Sequence, residues 1–220
     1  MEEHKLIVLH DHYRDSCSVT QRQRAARDRY FYLVVALMAI GWFDLVAPLD
    51  FAALMGDTVK AQLHLTTAPD LAYVRGVLWF LLLVLTVRYC QSALAVERGY
   101  DYIHKIEALL AEEVHPAFNR EGGAYLSGYP LFLSWAHCLY VWVSPGLLLV
   151  LVVIWMAARI PNPQPWTWPR LVLFEAAIGL AIMATVVLYW AFHLRRSGEA
   201  KNKPAAPTGR RSAVRGTTLP

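Results

Sequence analysis

The stretch "RLVLFEAAIGLAIMATVVLYWAFHLRR", residues 170–196, decides the fold. Its apolar run, held between arginines, exceeds the roughly 20 residues that a helix needs to cross a bilayer. One residue stands out, Glu175, a carboxylate inside a membrane-length segment. The rest of the chain repeats the theme. Of its 220 residues, 56% are hydrophobic and 17% charged, more apolar than a soluble domain usually is. The excess is gathered into long runs, which marks a membrane protein.

Four spans are expected, at about residues 30–49, 71–90, 131–158 and 171–193. The third is the longest and carries Pro145-Gly146 near its middle, where a kink or tilt is expected, since proline removes a backbone donor and clashes with the preceding turn. Lysine and arginine set the orientation. Residues 1–29, the segment between spans two and three with the adjoining end of span two, and the tail carry seventeen of them; the opposite side carries four, Lys60, Arg75, Arg159 and Arg170. Both termini and the middle loop are therefore expected in the cytoplasm, with the chain in the inner (plasma) membrane. An even number of spans returns the chain to its starting side, which agrees. The polar opening residues read as no cleavable leader, so the first span is expected to act as its own insertion signal. Three cysteines, Cys17, Cys90 and Cys138, give no disulfide framework.

Three segments are expected outside the lipid: an arm at 1–29, a loop at 91–130 within the four-span unit 30–194, and a disordered basic tail at 195–220. The loop begins without a break from span two. In "LAVERGYDYIHKIEALLAEEVH", residues 94–115, Val96, Tyr100, Ile103, Ile106, Leu110 and Val114 recur at steps of three and four, one helical stripe among acidic residues. Span two is thus expected to continue as an amphipathic stalk, with Gly99 its one weak point. The stripe must be covered. Its acidity argues against anionic lipid, leaving the chain itself or a second copy. Pro116 and the glycines of "PAFNREGGAYLSGYP", residues 116–130, turn the chain back towards span three.

Glu175 now has neighbours. It lies about one turn into span four, Arg75 about one turn into span two, and Asp44 about four turns along span one from the other side. All three fall at similar depth. Pairing Asp44, Arg75 and Glu175 would lower the several kcal/mol that a charge costs in hydrocarbon, and would tie three spans together. A structural ion-pair cluster, a cation or proton site in a transport path, and a hydrophilic constriction in an oligomeric pore are the readings of that cluster. His137 and His193 form a possible proton site on the inner side, weighed against single hydrogen-bonded histidines. Ala177, Ala181 and Thr185 make a row of small residues that lets helices approach closely. His10-Asp11-His12 with Cys17 is not read as a metal site, because histidines two apart point to different faces of a helix.

No constellation for catalysis is found: HExxH, GxSxG and paired aspartates at motif spacing are absent. No enzyme, cofactor, metal or direct nucleic-acid binding is expected. With its polar arm, four spans and helical insert, and in the stretches "YIHKIEALL" and "FNREGGAYLSGYPLF", the chain resembles small multi-spanning membrane proteins of bacterial antiphage defence systems. That resemblance implies infection sensing or permeabilisation of the inner membrane. The expectation is an all-α integral membrane four-helix bundle with a cytoplasmic amphipathic extension of its second span. It is expected to bind the lipid bilayer and to form a homo-oligomer that senses or permeabilises with a cytoplasmic protein partner. The alternative is a small ion or solute transporter or channel working through the intramembrane carboxylates.

Overall fold

The computed structural model describes residues 2–64, 71–113, 135, 138–159 and 169–202. Among them every regular element is helical. Helix α1, Glu2–Val46, and helix α2, Pro48–Leu63, are separated by Ala47 alone. Helix α3 is Leu71–Glu113. A π turn, Leu139–Val143, leads into helix α4, Ser144–Arg159, and helix α5 is Pro169–Asn202. The helices α1, α3, α4 and α5 are each long and apolar enough to span a membrane. Their outward surface carries Leu33, Trp42, Phe80, Leu81, Val153, Leu180 and Leu188, large apolar side chains left open because lipid is their solvent. The protein is an all-helical, multi-pass membrane four-helix bundle.

The expected boundaries shift at three places. The arm and span one are a single 45-residue helix, because "RQRAARDRY" contains no breaker. Span one ends at Val46 rather than Leu49: Pro48 has no N–H to give the Asp44 carbonyl, and it opens α2 at a position that proline tolerates. Helix α5 continues past Arg195 to Asn202, so the tail expected from Arg195 begins as helix.

The bundle closes as a ring in which α1 packs on α3 and α4, and α5 packs on the same two. The core between them is apolar: Val34, Trp79, Leu82, Leu148, Val152, Ile178, Ile182 and Val186 are all buried. Trp79 and Trp155 meet across its centre with ring centroids 4.3 Å apart. Gly179 lets α5 approach α4; a Cβ there would stand 2.9 Å from Met156 Sδ.

At the standard rise, α1 and α3 are on the order of 65 Å long, twice the hydrocarbon thickness. They run antiparallel and stay paired throughout. Arg75 meets Asp44, Phe31 and Tyr89 are 6.0 Å apart, Gly99 touches Thr20, and Tyr13 meets Glu107. From each contact to the next the two helices advance by the same number of residues to within one. Along α3, Trp79, Leu82, Thr86, Tyr89, Ala93, Val96, Tyr100, Ile103, Glu107 and Leu110 are all buried or half-buried. Along α1 the same holds for Tyr13, Ser16, Thr20, Gln23, Arg27, Tyr30, Val34, Leu37, Gly41 and Asp44. Both sets alternate steps of three and four, the 3.5-residue repeat that keeps one seam between two helices wound about each other.

Candidate functional site

The end of the bundle far from the arm holds the charges. Arg75 sits one turn into α3, and Asp44 two residues from the end of α1. Arg75 donates from Nε at 2.8 Å and from Nη2 at 2.5 Å, both to Asp44 Oδ1. The pair is largely enclosed, with Asp44 7% and Arg75 16% exposed. Such a pair is held because neither charge alone is tolerable at that burial. Glu175 is buried on α5, 4% exposed. It stands at the same level, since its neighbour Phe174 lies 3.6 Å from where a Cβ on Gly76 would be. The three expected residues thus share a depth, with Asp44 and Arg75 in direct contact. Beside the pair, α1, α2 and α3 line a small, half-open cleft walled by Leu37, Ile40, Phe51, Leu78, Trp79 and Leu82, with room for about one water-sized group. Lys60 is on the exposed side of α2.

From this level to the arm end, the inward positions of α5 are Ile178, Ile182 and Val186, all buried. On α3 they are Trp79, Leu82 and Thr86, whose polar groups are one indole N–H and one hydroxyl.

Polar chemistry resumes at the other end of the bundle. His193 on α5 lies 3.4 Å, Nδ1 to Oε1, from Glu97 on α3. Tyr189 packs edge-on against His193 at 4.5 Å, and Tyr89 lies 6.4 Å from Tyr189. Arg27 bonds the adjacent Asp28 at 2.7 Å and covers the Tyr140 ring at 5.1 Å. His137, the other half of the expected histidine pair, lies outside the described residues. In the sequence Glu97 is one of the acidic residues that flank the stalk stripe, with nothing to mark it as the partner of His193.

Near Pro145, where the sequence leads one to expect a kink or tilt, the chain forms a π turn. The π turn places the Ser144 N–H on the Leu139 carbonyl, five residues back. Tyr140 thereby loses its usual donor, and the next N–H along would have been that of Pro145, which has none. Val141, four residues before Pro145, loses its donor for the same reason. Neighbouring helices replace both: Tyr89 Oη on α3 donates to the Tyr140 carbonyl at 2.6 Å, and Trp190 Nε1 on α5 to the Val141 carbonyl at 3.0 Å. In lipid no water is present to do this.

Beyond the bundle, the stalk stripe is covered within the chain. Ile103, Ile106 and Leu110 are 2%, 3% and 1% exposed and Tyr100 is half-buried, while Val114 lies outside the described residues. The arm runs along this face. Gly99 is a crossing point rather than a weakness: a Cβ there would stand 2.6 Å from Thr20 Oγ1. Tyr13 Oη donates to Glu107 Oε1 at 3.0 Å, His104 Nδ1 lies 3.5 Å from Glu107 Oε2, and His12 Nε2 lies 2.6 Å from the Tyr102 hydroxyl. Burial, then the bond to Glu107, holds the Tyr13 phenol well above its ordinary value. Glu107 was legible only as a solvated acid, because the stripe through Ile106 hid that the 3.5-residue seam from Trp79 passes through residue 107.

No family model, curated protein or solved structure matches the chain.

Proposed function

We propose that this is a non-catalytic protein of the inner (plasma) membrane, with both termini cytoplasmic, that works as an oligomeric sensor. Its arm–stalk hairpin meets a cytoplasmic protein partner, and its bundle carries the response. One observation supports this most: two unbroken helices, zipped by one seam, join the charged end of the bundle to a polar cluster on the order of 45 Å away along the helix axis. A displacement of one end is carried to the other by such a rod, because its seam has no flexible joint between them. The lysine and arginine asymmetry supports the orientation. The small row of α5, with Ala177 open and Ala181 and Thr185 half-buried, supports close association of copies. A place in antiphage defence rests on the resemblance in layout alone.

Buried Glu175 favours a second reading, permeation between copies, as a membrane-permeabilising effector or a small channel or transporter. Ion flux through the purified protein in sealed liposomes separates the two. The sensor reading expects tight vesicles at rest and no difference between wild type and Glu175→Gln. Flux that disappears in Glu175→Gln would replace it with the permeation reading. Native mass spectrometry of the same material is expected to give more than one chain per particle; a monomer would remove the oligomer from the proposal.

A further inference from the structure

At the arm end of the bundle the helices carry a belt of arginines. On α3 it runs from Arg88 to Arg98, about 15 Å along the axis. The same level on α1, fixed by the contacts of Phe31 with Tyr89 and of Thr20 with Gly99, holds Arg22, Arg24 and Arg29. On α5 it holds Arg195, two residues past the His193 that meets Glu97. All six are exposed, and all are arginine rather than lysine. The two carboxylates of this level, Asp28 and Glu97, are half-buried and engaged by Arg27 and His193. The belt has edges. Towards the bundle, the same helices expose Tyr32, Leu33, Val84 and Leu188. Away from it the exposed charges become mixed, Asp11, Asp15 and Asp101 with Arg14 and Lys105. At the opposite end of the bundle, among the described residues, Lys60 stands with Asp50 and Asp57.

A belt that begins where lipid-facing side chains end lies in the headgroup layer. Its width is that layer plus the reach of an arginine side chain at either edge. Guanidinium grips phosphate through paired N–H donors, which the ammonium of lysine lacks. Net charge then decides which phospholipid is preferred. Over residues 22–29, 88–98 and 189–195, arginines outnumber carboxylates seven to two. A zwitterionic headgroup brings a cation of its own into that excess, and the two carboxylates that could receive it are already engaged. An anionic headgroup brings none. We infer that the belt binds anionic phospholipid, of which phosphatidylglycerol is the simplest form, in the leaflet at the arm end of the bundle. Arginines that served only to orient the chain during insertion would show no such preference. The inference rests on the membrane-spanning bundle and on neither the sensor reading nor the direction in which the chain crosses.

The test is native mass spectrometry of the full chain in mild detergent, titrated with phosphatidylglycerol, phosphatidylcholine and phosphatidylethanolamine of identical acyl chains. Phosphatidylglycerol is expected to be held about fivefold more tightly than either of the others, or better, since one engaged arginine suffices for that factor. Arg29→Gln/Arg88→Gln/Arg195→Gln, one change on each helix, is expected to lose the preference. Arg14→Gln/Lys60→Gln/Lys105→Gln removes the same charge outside the belt and is expected to keep it. Arg22→Gln/Arg24→Gln/Arg98→Gln serves if the first variant fails to fold. Equal retention of the zwitterionic lipids, a preference that survives in a folded belt variant, or one that the control variant loses as fully would each overturn the assignment. So would tighter retention of a short single-stranded DNA than of any lipid, which would make the belt a nucleic-acid surface.

Discussion

At the scale of single residues, two positions carry more than their size suggests. Arg75 neutralises a carboxylate that is 7% exposed. Arg75→Leu strands that charge and is expected to cost about 3–5 kcal/mol, read as a lower Tm in detergent. Asp44→Asn in the same chain is expected to recover part of the loss; a single variant as stable as wild type would show that the pair does not hold the fold. Gly99 is the second. Thr20 Oγ1 is fixed by its bond to the Ser16 carbonyl at 2.9 Å and cannot swing away from a new methyl group. Gly99→Ala is therefore expected to destabilise by about 1–3 kcal/mol through overpacking, despite its better helix propensity. Adding Thr20→Ala is expected to reverse the sign, a coupling that a double-mutant cycle measures. The shared depth of Asp44, Arg75 and Glu175 was legible in the sequence, because helical rise converts residue number into depth. The tightness at Gly99 was not, since it depends on which helix crosses there.

At the scale of elements, the proline of the third span is answered by side chains of its neighbours. Trp190→Phe removes the donor to the Val141 carbonyl and is expected to cost about 1–3 kcal/mol. In a Pro145→Ala background the main chain regains its N–H, and the same change is expected to be nearly neutral; an equal cost in both backgrounds would show that Trp190 acts by packing alone. The arm offers a pH test. The folded state raises the Tyr13 phenol, so its contribution to docking is complete below the unfolded value near 10 and is lost as pH rises through the folded value. A fluorophore pair on the exposed positions Arg14 and Lys105 is expected to report unchanged docking from pH 7 to about 10 and release above it. Tyr13→Phe should release less steeply; identical profiles would exclude Tyr13 as the titrating group. The spans and the stalk were readable because lipid and core both demand apolar side chains at helical spacing. The arm's seam was not, since Tyr13, Ser16, Thr20, Gln23 and Arg27 repeat correctly but are polar, and a hydrophobic pattern cannot reveal a seam made of hydrogen-bonding groups.

At the scale of the whole molecule, the four-helix bundle and the arm–stalk hairpin are one object, joined by α1 and α3 without a break. The central claim is that each arm zips onto the stalk of its own chain. A Cβ on Gly99 would lie 3.4 Å from Thr20 Cβ, close to disulfide geometry. The most direct measurement is therefore mild oxidation, in liposomes, of Thr20→Cys/Gly99→Cys in a chain whose three native cysteines are replaced. Val19→Cys/Gly99→Cys is the control, since Val19 points outward. Rapid disulfide formation within one chain for the Thr20 pair, and little for the Val19 pair, is the predicted result. No disulfide, equal formation in both, or a bond joining two chains instead of one would contradict it.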